Sequence, residues 1–155
     1  MSRSVDRFVA AARERGLEIE VRRFPEGTKT APDAARAVGC EVAQIVKSLV
    51  FMADGRPLLA LTSGANRADV AKLAAATGAN EVKRADADQA RAATGFAIGG
   101  TPPFGFPGPV RVLMDRDLLA FDEVWAAAGT PDAVFPIGPD RLREAAGAEA
   151  VDLRE

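Results

Sequence analysis

The sequence predicts an α/β fold: a compact single domain, residues 1–155, in which helices flank a central sheet that is mixed or mainly antiparallel. Helical and strand periodicities alternate along the chain. The turn signals between neighbouring strands are short enough for hairpins. No repeat or low-complexity linker divides the 155 residues, of which 48% are hydrophobic, so one sizeable core is expected.

Caps and glycines set the expected bounds of the first elements. Ser4 is predicted to cap a helix that Gly16 ends. The alternation over residues 17–21 predicts a strand that ends near Pro25. Thr30 is predicted to begin a second helix, which Gly39 closes.

The middle of the chain predicts a hairpin followed by a helix. Residues 44–52 show a strand pattern, Asp54-Gly55 is a hairpin-turn signal, and residues 57–62 supply the partner strand. Asn66 is expected to cap the next helix, and Gly78 to follow its last turn.

The second half is expected to add shorter elements around one long glycine- and proline-rich loop. In order, these are a strand over 81–83, a helix from Asp86, the loop over 94–108, a strand over 110–115, a hairpin of 123–127 with 133–137, and a final helix from Pro139 to Ala146. This mixture of elements favours a single α/β domain with a mixed or antiparallel sheet.

The composition excludes several catalytic classes. The chain has no histidine, no tyrosine and one cysteine, Cys40. Ser-His-Asp and Cys-His mechanisms, imidazole zinc sites, cysteine metal clusters and an internal disulfide are therefore excluded. Any catalysis must use lysine, carboxylates, hydroxyls, the backbone or the substrate itself. No metal or organic cofactor is indicated.

The chain also lacks the pattern of a membrane or secreted protein. No apolar run approaches the roughly 18 residues of a membrane span, and residues 1–7 contain no hydrophobic signal region. With a single cysteine as well, the expected location is the cytoplasm.

Charge is unevenly distributed along the chain. Residues 1–84 carry 14 Lys/Arg against 10 Asp/Glu, whereas residues 85–155 carry 6 against 12. Phosphate contact is therefore expected on the first half, although a solvated surface of mixed charge explains the same numbers. The net charge of −2 does not indicate a general nucleic-acid binder.

Lys47 is the most informative residue, because it interrupts an apolar strand. Alternation places it on one face with Ile45, Leu49 and Phe51. Desolvating an ammonium there is costly, so the side chain either reaches water or opens into a pocket with an anionic partner. In the second case it is a cation that binds a phosphate or polarises an ester.

The glycine- and proline-rich loop is the second candidate. Gly99-Gly100 permits close approach of a ligand to the backbone, and Pro102-Pro103 stiffens the adjoining part of the loop. Such an array can orient water or hold an oxyanion without an acidic side chain, although a tight turn explains the glycines equally. The loop matches neither a P-loop nor a dinucleotide fingerprint.

The remaining candidates are weaker. Asp115 is either a functional carboxylate at a strand end or a cap, and Thr30 is a helix cap that could also face a ligand. Residues 63–66 are interpreted as a strand-to-helix turn. Cys40 is interpreted as a small apolar filler, because nothing near it in the sequence supports a reactive thiolate.

The ordered set of motifs resembles the YbaK/ProX family of aminoacyl-tRNA deacylases, which is related to the editing insertion domain of bacterial prolyl-tRNA synthetases. The matching segments are Thr30–Gly39, Gln44–Phe51, Gly64 with Asn66, Asp69 and Leu73, Thr94–Gly105, and Asp115. Each motif alone is unspecific, but their order and spacing extend through nearly the whole chain.

The resemblance implies a function as well as a fold. Members remove small, wrongly attached amino acids from tRNA, typically tRNA(Pro), by hydrolysing the ester to the terminal adenosine. Lys47 matches the family's essential lysine, and Gly100–Pro103 match its Gly-x-x-Pro loop. The implied partners are the acceptor end of aminoacyl-tRNA and prolyl-tRNA synthetase, without membrane or DNA, and the implied hydrolysis is metal-independent.

The predicted site therefore has Lys47 and Gly100 as catalytic residues, with Lys47 engaging the 3′-terminal phosphate or ribose. Phe51 and Ile98 are expected to set the size of the pocket. The predicted substrate-binding residues are Thr30, Phe51, Ile98, Gly99, Thr101, Pro102, Pro103 and Asp115.

Two other functions remain open from the sequence. One is a non-catalytic module that binds tRNA ends or a synthetase, and the other is a nucleotide or phosphate binder. The amino acid removed is also open, because branches of the family act on cysteine, alanine, serine, threonine and non-protein amino acids.

Overall fold

The computed structural model describes residues 3–28 and 30–155. The helices are α1 (Arg3–Glu14), α2 (Ala31–Val38), α3 (Val70–Thr77), α4 (Ala87–Thr94) and α5 (Pro139–Ala146). The strands are β1 (Arg22–Arg23), β2 (Ile45–Ala53), β3 (Arg56–Ser63), β4 (Val82–Arg84), β5 (Arg111–Asp115), β6 (Val124–Ala127), β7 (Ala133–Ile137) and β8 (Glu149–Val151). Short 3₁₀ helices cover Val42–Gln44 and Arg116–Ala120.

The strands form one mixed sheet in the order β1-β7-β6-β2-β3-β5-β8, and β4 pairs with β2 beside this path. The β2–β6, β3–β5 and β5–β8 pairs are parallel, and the other pairs are antiparallel. The predicted α/β class with a mixed sheet is therefore confirmed.

Helices cover both faces of the sheet. Helices α1, α4 and α5 contribute to the larger core, where the ring of Phe8 lies 4.8 Å from that of Phe104 and 5.0 Å from that of Phe135. On the opposite face, Leu73 of α3 packs into a second cluster, and α2 packs against Ile45 in a third. The sheet is thus buried between two helical layers.

The central hairpin forms as the sequence predicts. β2 and β3 pair in one regular register from Val46 with Ser63 to Ala53 with Arg56. A two-residue turn joins them, in which Asp54 has φ +49° and Gly55 has φ +79°. Positive φ at both positions is the requirement of a type I′ turn, which explains the Asp-Gly pair.

The second edge of β2 is only partly covered. β6 pairs with β2 at residues 45–46, and β4 pairs with it at residues 51–53. Neither strand pairs with residues 47–49, which we call the β2 gap. This interruption leaves an opening in the middle of the sheet.

The strand predicted from Leu17 to near Pro25 is confirmed only at Arg22–Arg23, and it is wrong for residues 17–21. In this region only Arg22–Arg23 pair with another strand, β7. Leu17 is nevertheless buried, and Ile19 and Val21 pack against the larger core. The alternation over these residues therefore reflects contact with the core and not strand pairing.

Two helix caps also differ from the predictions. Ser4 lies inside α1, which already includes Arg3. Helix α3 is capped by Asp69 and not by Asn66. The side chain of Asp69 accepts a hydrogen bond of 2.9 Å from the N–H of Ala71. Thr30 caps α2 as predicted, and Asp86 caps α4, the helix that was predicted to begin there.

The short edge strand β8 was not predicted, because its three residues carry too little pattern to be recognised.

Among the described residues, no helix is both long and apolar enough to cross a membrane.

Candidate active site

A cavity of about 420 Å³ opens at the β2 gap. Its walls come mainly from residues 45–50 of β2, residues 125–127 of β6, the start of α2, Arg84-Ala85 and loop residues 98, 99 and 101. Segments that are distant in sequence therefore meet around one opening in the sheet. Small apolar side chains make up much of the lining, as is usual for a ligand pocket.

The β2 gap directs backbone groups into this cavity. Ile45 C=O accepts from Gly64 N–H at 2.7 Å on the β3 side, whereas Val50 C=O accepts from Ala85 N–H at 3.0 Å on the opposite side. Because strand residues alternate and the β2–β3 register is regular, the N–H and C=O of Ser48 also point away from β3. They face the gap, where no described strand pairs with them.

Lys47 lies in the cavity lining and is half-buried. Its Nζ donates a hydrogen bond of 2.6 Å to the backbone carbonyl of Asn66. Burial lowers the pKa of the Lys47 ammonium, and the nearby charges of Arg67 and Arg84 lower it further, against an opposing effect of Asp115. The described carboxylates form no ion pair with this amine, so a neutral carbonyl holds it.

Asp115 fixes the turn that holds Lys47. Its carboxylate is only 1% exposed and accepts from Ser63 N–H at 3.1 Å, from Asn66 Nδ2 at 2.8 Å and from Asp117 N–H at 3.0 Å. Asn66 Nδ2 also donates to Asp117 Oδ2 at 2.9 Å. Asp115 therefore lies behind the acceptor of Lys47 and outside the cavity lining.

The diglycine loop meets the cavity through only some of its residues. Ile98, Gly99 and Thr101 line it, and Ile98 is 51% exposed. Gly100 is buried, and its N–H donates to the carbonyl of Ala97 at 3.1 Å. A Cβ atom on Gly100 would lie 2.7 Å from the Cα of Thr130, so this glycine permits close packing of two backbones.

The remaining predicted site residues are divided between the cavity and the core. Thr30 lines the cavity, but its hydroxyl already accepts from Asp33 N–H at 3.2 Å as the cap of α2. Pro102 and Pro103 are buried outside the lining. Phe51 is 3% exposed in the second cluster, and does not line the cavity.

The structure thus brings Lys47, Thr30, Ile98, Gly99 and Thr101 together at one cavity. It does not bring the Lys47 amine into a hydrogen bond with the diglycine loop, because that amine contacts the turn of Asn66.

Two residues of the cavity lining were not predicted from the sequence. Arg84 reaches the cavity, and its guanidinium lies 5.6 Å from the centre of the Phe51 ring. Ser48 also lines the cavity, and its buried hydroxyl has no hydrogen-bond partner among the residues that the structure describes. The signal for Ser48 was available, since alternation places it between Val46 and Val50 on an apolar face. Arg84 carried no signal of its own.

Other reactive groups do not gather at this site. Burial raises the pKa of the Cys40 thiol, and the charges of Glu123 and Glu41 raise it further, which disfavours a thiolate. Within residues 3–28 and 30–155, no group of three or more Cys, Asp or Glu side chains is arranged to hold a metal ion.

Relatives with similar sequences include both synthetases and a small protein. Over 128 residues the chain is 34% identical to the proline--tRNA ligase of Nitratidesulfovibrio vulgaris strain DP4, a match that covers 83% of this chain but 22% of the ligase. It is 26% identical over 127 residues to the uncharacterized protein YwhH of Bacillus subtilis strain 168, covering 82% and 81% of the two chains. The chain thus spans about a fifth of the ligases that it matches.

Two solved structures are similar to this chain over nearly its whole length. One is described as a candidate trans-editing enzyme for prolyl tRNA synthetase; it is 44% identical, with a TM-score of 0.95, over 100% of this chain and 99% of that one. The hypothetical protein APE2540 is 27% identical, with a TM-score of 0.88, over 96% and 99%. Residues 25–145 match the family model of the aminoacyl-tRNA editing domain, which confirms the resemblance seen in the motifs. The protein therefore belongs to the aminoacyl-tRNA editing domain family.

Proposed function

We propose that this protein is a trans-editing hydrolase, which deacylates tRNA(Pro) carrying a small non-cognate amino acid. The main support is the cavity at the β2 gap, where Lys47 and residues of the diglycine loop line one opening. The proposed partners are the acceptor end of aminoacyl-tRNA and, through it, prolyl-tRNA synthetase.

The cavity is large enough for an aminoacyl group, and its lining suits a small side chain. Its volume is about 420 Å³, and Ala34, Ala85, Ala90 and Ala126 contribute to its walls. Apolar walls of this kind accept a small side chain and disfavour a charged one. A pocket with its own size limit supplies a second selection step, which a synthetase needs when binding alone discriminates poorly between similar amino acids.

Cations at the cavity suit the nucleic-acid part of the substrate. Lys47 and Arg84 line the opening, and Arg67 lies close enough to lower the pKa of Lys47. We assign Lys47 to the 3′-terminal phosphate or ribose, where a positive charge attracts the anion and orients the ester. Arg84 lies beside the same opening and adds to this positive field.

The reaction that we propose is simple hydrolysis. Water attacks the carbonyl carbon, and the bond between that carbon and the ribose oxygen breaks. One proton of the water passes to the leaving ribose hydroxyl, and the new carboxylic acid releases the other to solvent. Because an aminoacyl ester is already activated, positioning the water and stabilising the oxyanion contribute most of the acceleration.

The backbone of the loop is the proposed source of that stabilisation. Gly100 N–H already donates to Ala97, so its contribution is close packing of the loop. Gly99 and Thr101 line the cavity on either side of it and are better placed to meet the substrate. No carboxylate occurs in the described lining, so the substrate itself or a backbone-bound water accepts the proton.

The same lack of a carboxylate in the described lining favours a second candidate function, a module that binds acylated tRNA ends without hydrolysis. One experiment separates the two. tRNA(Pro) charged with Ala, Ser, Cys, Thr or 2-aminobutyrate is incubated with the protein, and the remaining ester is measured over time. We expect at least one small aminoacyl ester to be released much faster than without protein, while Pro-tRNA(Pro) is spared. Protection of every ester would instead support the binding module.

A further inference from the structure

Ser48 meets the cavity through its main chain and Cβ, and not through its hydroxyl. The residue lines the cavity and is half-buried, but its Oγ is buried, so the surface that it exposes belongs to its other atoms. Its N–H and C=O point away from β3 into the β2 gap, where no described strand pairs with them. One donor and one acceptor of the sheet are therefore left open at the cavity.

The open part of this edge is one residue long. On one side of Ser48, Val46 pairs with Ala126 of β6. On the other side, Val50 C=O accepts from Ala85 N–H at 3.0 Å. Backbone groups inside a protein are nearly always paired, with protein, water or a ligand. Because β6 and the segment after β4 occupy the edge on both sides, a partner for Ser48 must be about the size of a single residue.

An α-aminoacyl group has the size and the polar groups that complete this edge. In an antiparallel sheet, the two residues of a hydrogen-bonded pair exchange both N–H···O bonds. An aminoacyl ester carries an amine and a carbonyl oxygen on adjacent carbon atoms, as a strand residue does. Its amine can therefore donate to Ser48 C=O while its carbonyl oxygen accepts from Ser48 N–H.

We propose that the aminoacyl group binds as a one-residue strand opposite Ser48, and that the main-chain N–H of Ser48 is a catalytic donor to the oxyanion. The inference rests on the proposed function, because it takes an aminoacyl ester as the ligand. When water attacks the carbonyl carbon, an electron pair of the C=O bond moves to the oxygen that Ser48 N–H holds. The pair returns when the bond to the ribose oxygen breaks. This donor adds to those of the diglycine loop on the facing wall.

Amide NMR of the unmodified protein tests the pairing. The probe is alanine joined by an amide to 3′-amino-3′-deoxyadenosine, and it should shift the Ser48 amide proton downfield and slow its hydrogen exchange. The matched control is the amide of Leu49, which points to β3 and pairs with Ala60 with or without the probe.

Analogues of the probe test the bond to Ser48 C=O. A lactyl analogue keeps a hydrogen-bond donor on the α-carbon, whereas a propionyl analogue has none. We expect the propionyl analogue to bind roughly 2- to 10-fold more weakly than the alanyl and lactyl analogues, the usual effect of losing one hydrogen bond. Equal binding of all three would overturn this half of the pairing.

Replacement of the Ser48 N–H by an ester oxygen tests the catalytic role. Nonsense suppression with glyceric acid at position 48 removes this N–H and keeps the side chain. Single-turnover deacylation should slow by about 100-fold, the usual effect of removing one oxyanion donor. Lactic acid at position 60 is the control, because it removes the N–H of Ala60 that pairs with Leu49 outside the cavity lining. It should lower Tm and leave the rate unchanged.

The outcomes separate this inference from the proposed function. A Ser48 amide that stays unchanged while other cavity amides shift would overturn the pairing, and a folded ester variant with the wild-type rate would overturn the catalytic role. The proposed hydrolysis stands in both cases if the wild type releases an ester. A shifted Ser48 amide without release of any ester would support the pairing and reject the hydrolase. If the probe shifts no cavity amide, both claims fail, and if the ester variant does not fold, the titration decides the inference.

Discussion

At the scale of single residues, Lys47 differs from the alternatives that the sequence left open. Its amine is half-buried and pairs with none of the described carboxylates; it donates to the carbonyl of Asn66. That carbonyl belongs to a turn fixed by buried Asp115 through Ser63 and Asn66. A neutral acceptor holds the ammonium in place and leaves its charge available to an incoming phosphate.

The charge of Lys47 gives a pH prediction. Burial and the charges of Arg67 and Arg84 lower its pKa from the usual 10.5, so the ammonium loses its proton at a lower pH than an ordinary lysine does. Substrate binding that needs the cation should be complete below this pKa and be lost as pH rises through it. Titration of the Lys47 Cε resonance by NMR, together with kcat/KM corrected for spontaneous ester hydrolysis, checks the prediction. Titration at or above 10.5, or a kcat/KM that stays constant through the measured pKa, would contradict it.

At the scale of elements, the site depends on how β2 is shared between its neighbours. The hairpin of β2 and β3 could be predicted, because Asp54-Gly55 and the alternation on both sides are local signals. The β2 gap could not, because it arises where β6 and β4 end their pairing with β2, and both partners are distant in sequence. Local patterns contain no information about where such partners stop.

The diglycine loop gives an element-scale prediction about packing. A Cβ on Gly100 would lie 2.7 Å from Thr130 Cα and 3.0 Å from Gly129 C=O, so the two backbones must separate. Gly100→Ala should therefore cost roughly 1–3 kcal/mol of unfolding free energy. At this chain length each kcal/mol lowers Tm by about 2–4 °C.

Gly108 provides the matched control in the same loop. A Cβ there would meet no atom of the described residues within 4 Å, so Gly108→Ala should leave Tm nearly unchanged. Differential scanning calorimetry of both variants checks the pair. Equal Tm values for Gly100→Ala and the wild type would show that the loop does not pack as described.

At the scale of the whole molecule, the charge asymmetry corresponds to one region of the structure. The cations around the cavity, Lys47, Arg67 and Arg84, all come from the first half of the chain, where phosphate contact was predicted.

The sequence motifs were sufficient to predict the family, which the match over residues 25–145 confirms. They did not show which motif residues line the cavity, because burial of Phe51, Pro102 and Asp115 depends on packing between distant elements.

The measurement that tests the central claim most directly is single-turnover deacylation of mischarged tRNA(Pro) by Lys47→Ala. If the cavity at the β2 gap is the site of hydrolysis, the variant should lose about 100-fold or more of the rate, the usual effect of removing one electrostatic stabiliser. Its circular dichroism and Tm should show a folded protein. Lys72→Ala is the control, because Lys72 lies on α3 outside the cavity lining and pairs with Asp152 at 2.9 Å. It should deacylate at the wild-type rate, and a folded Lys47→Ala protein that did the same would contradict the account.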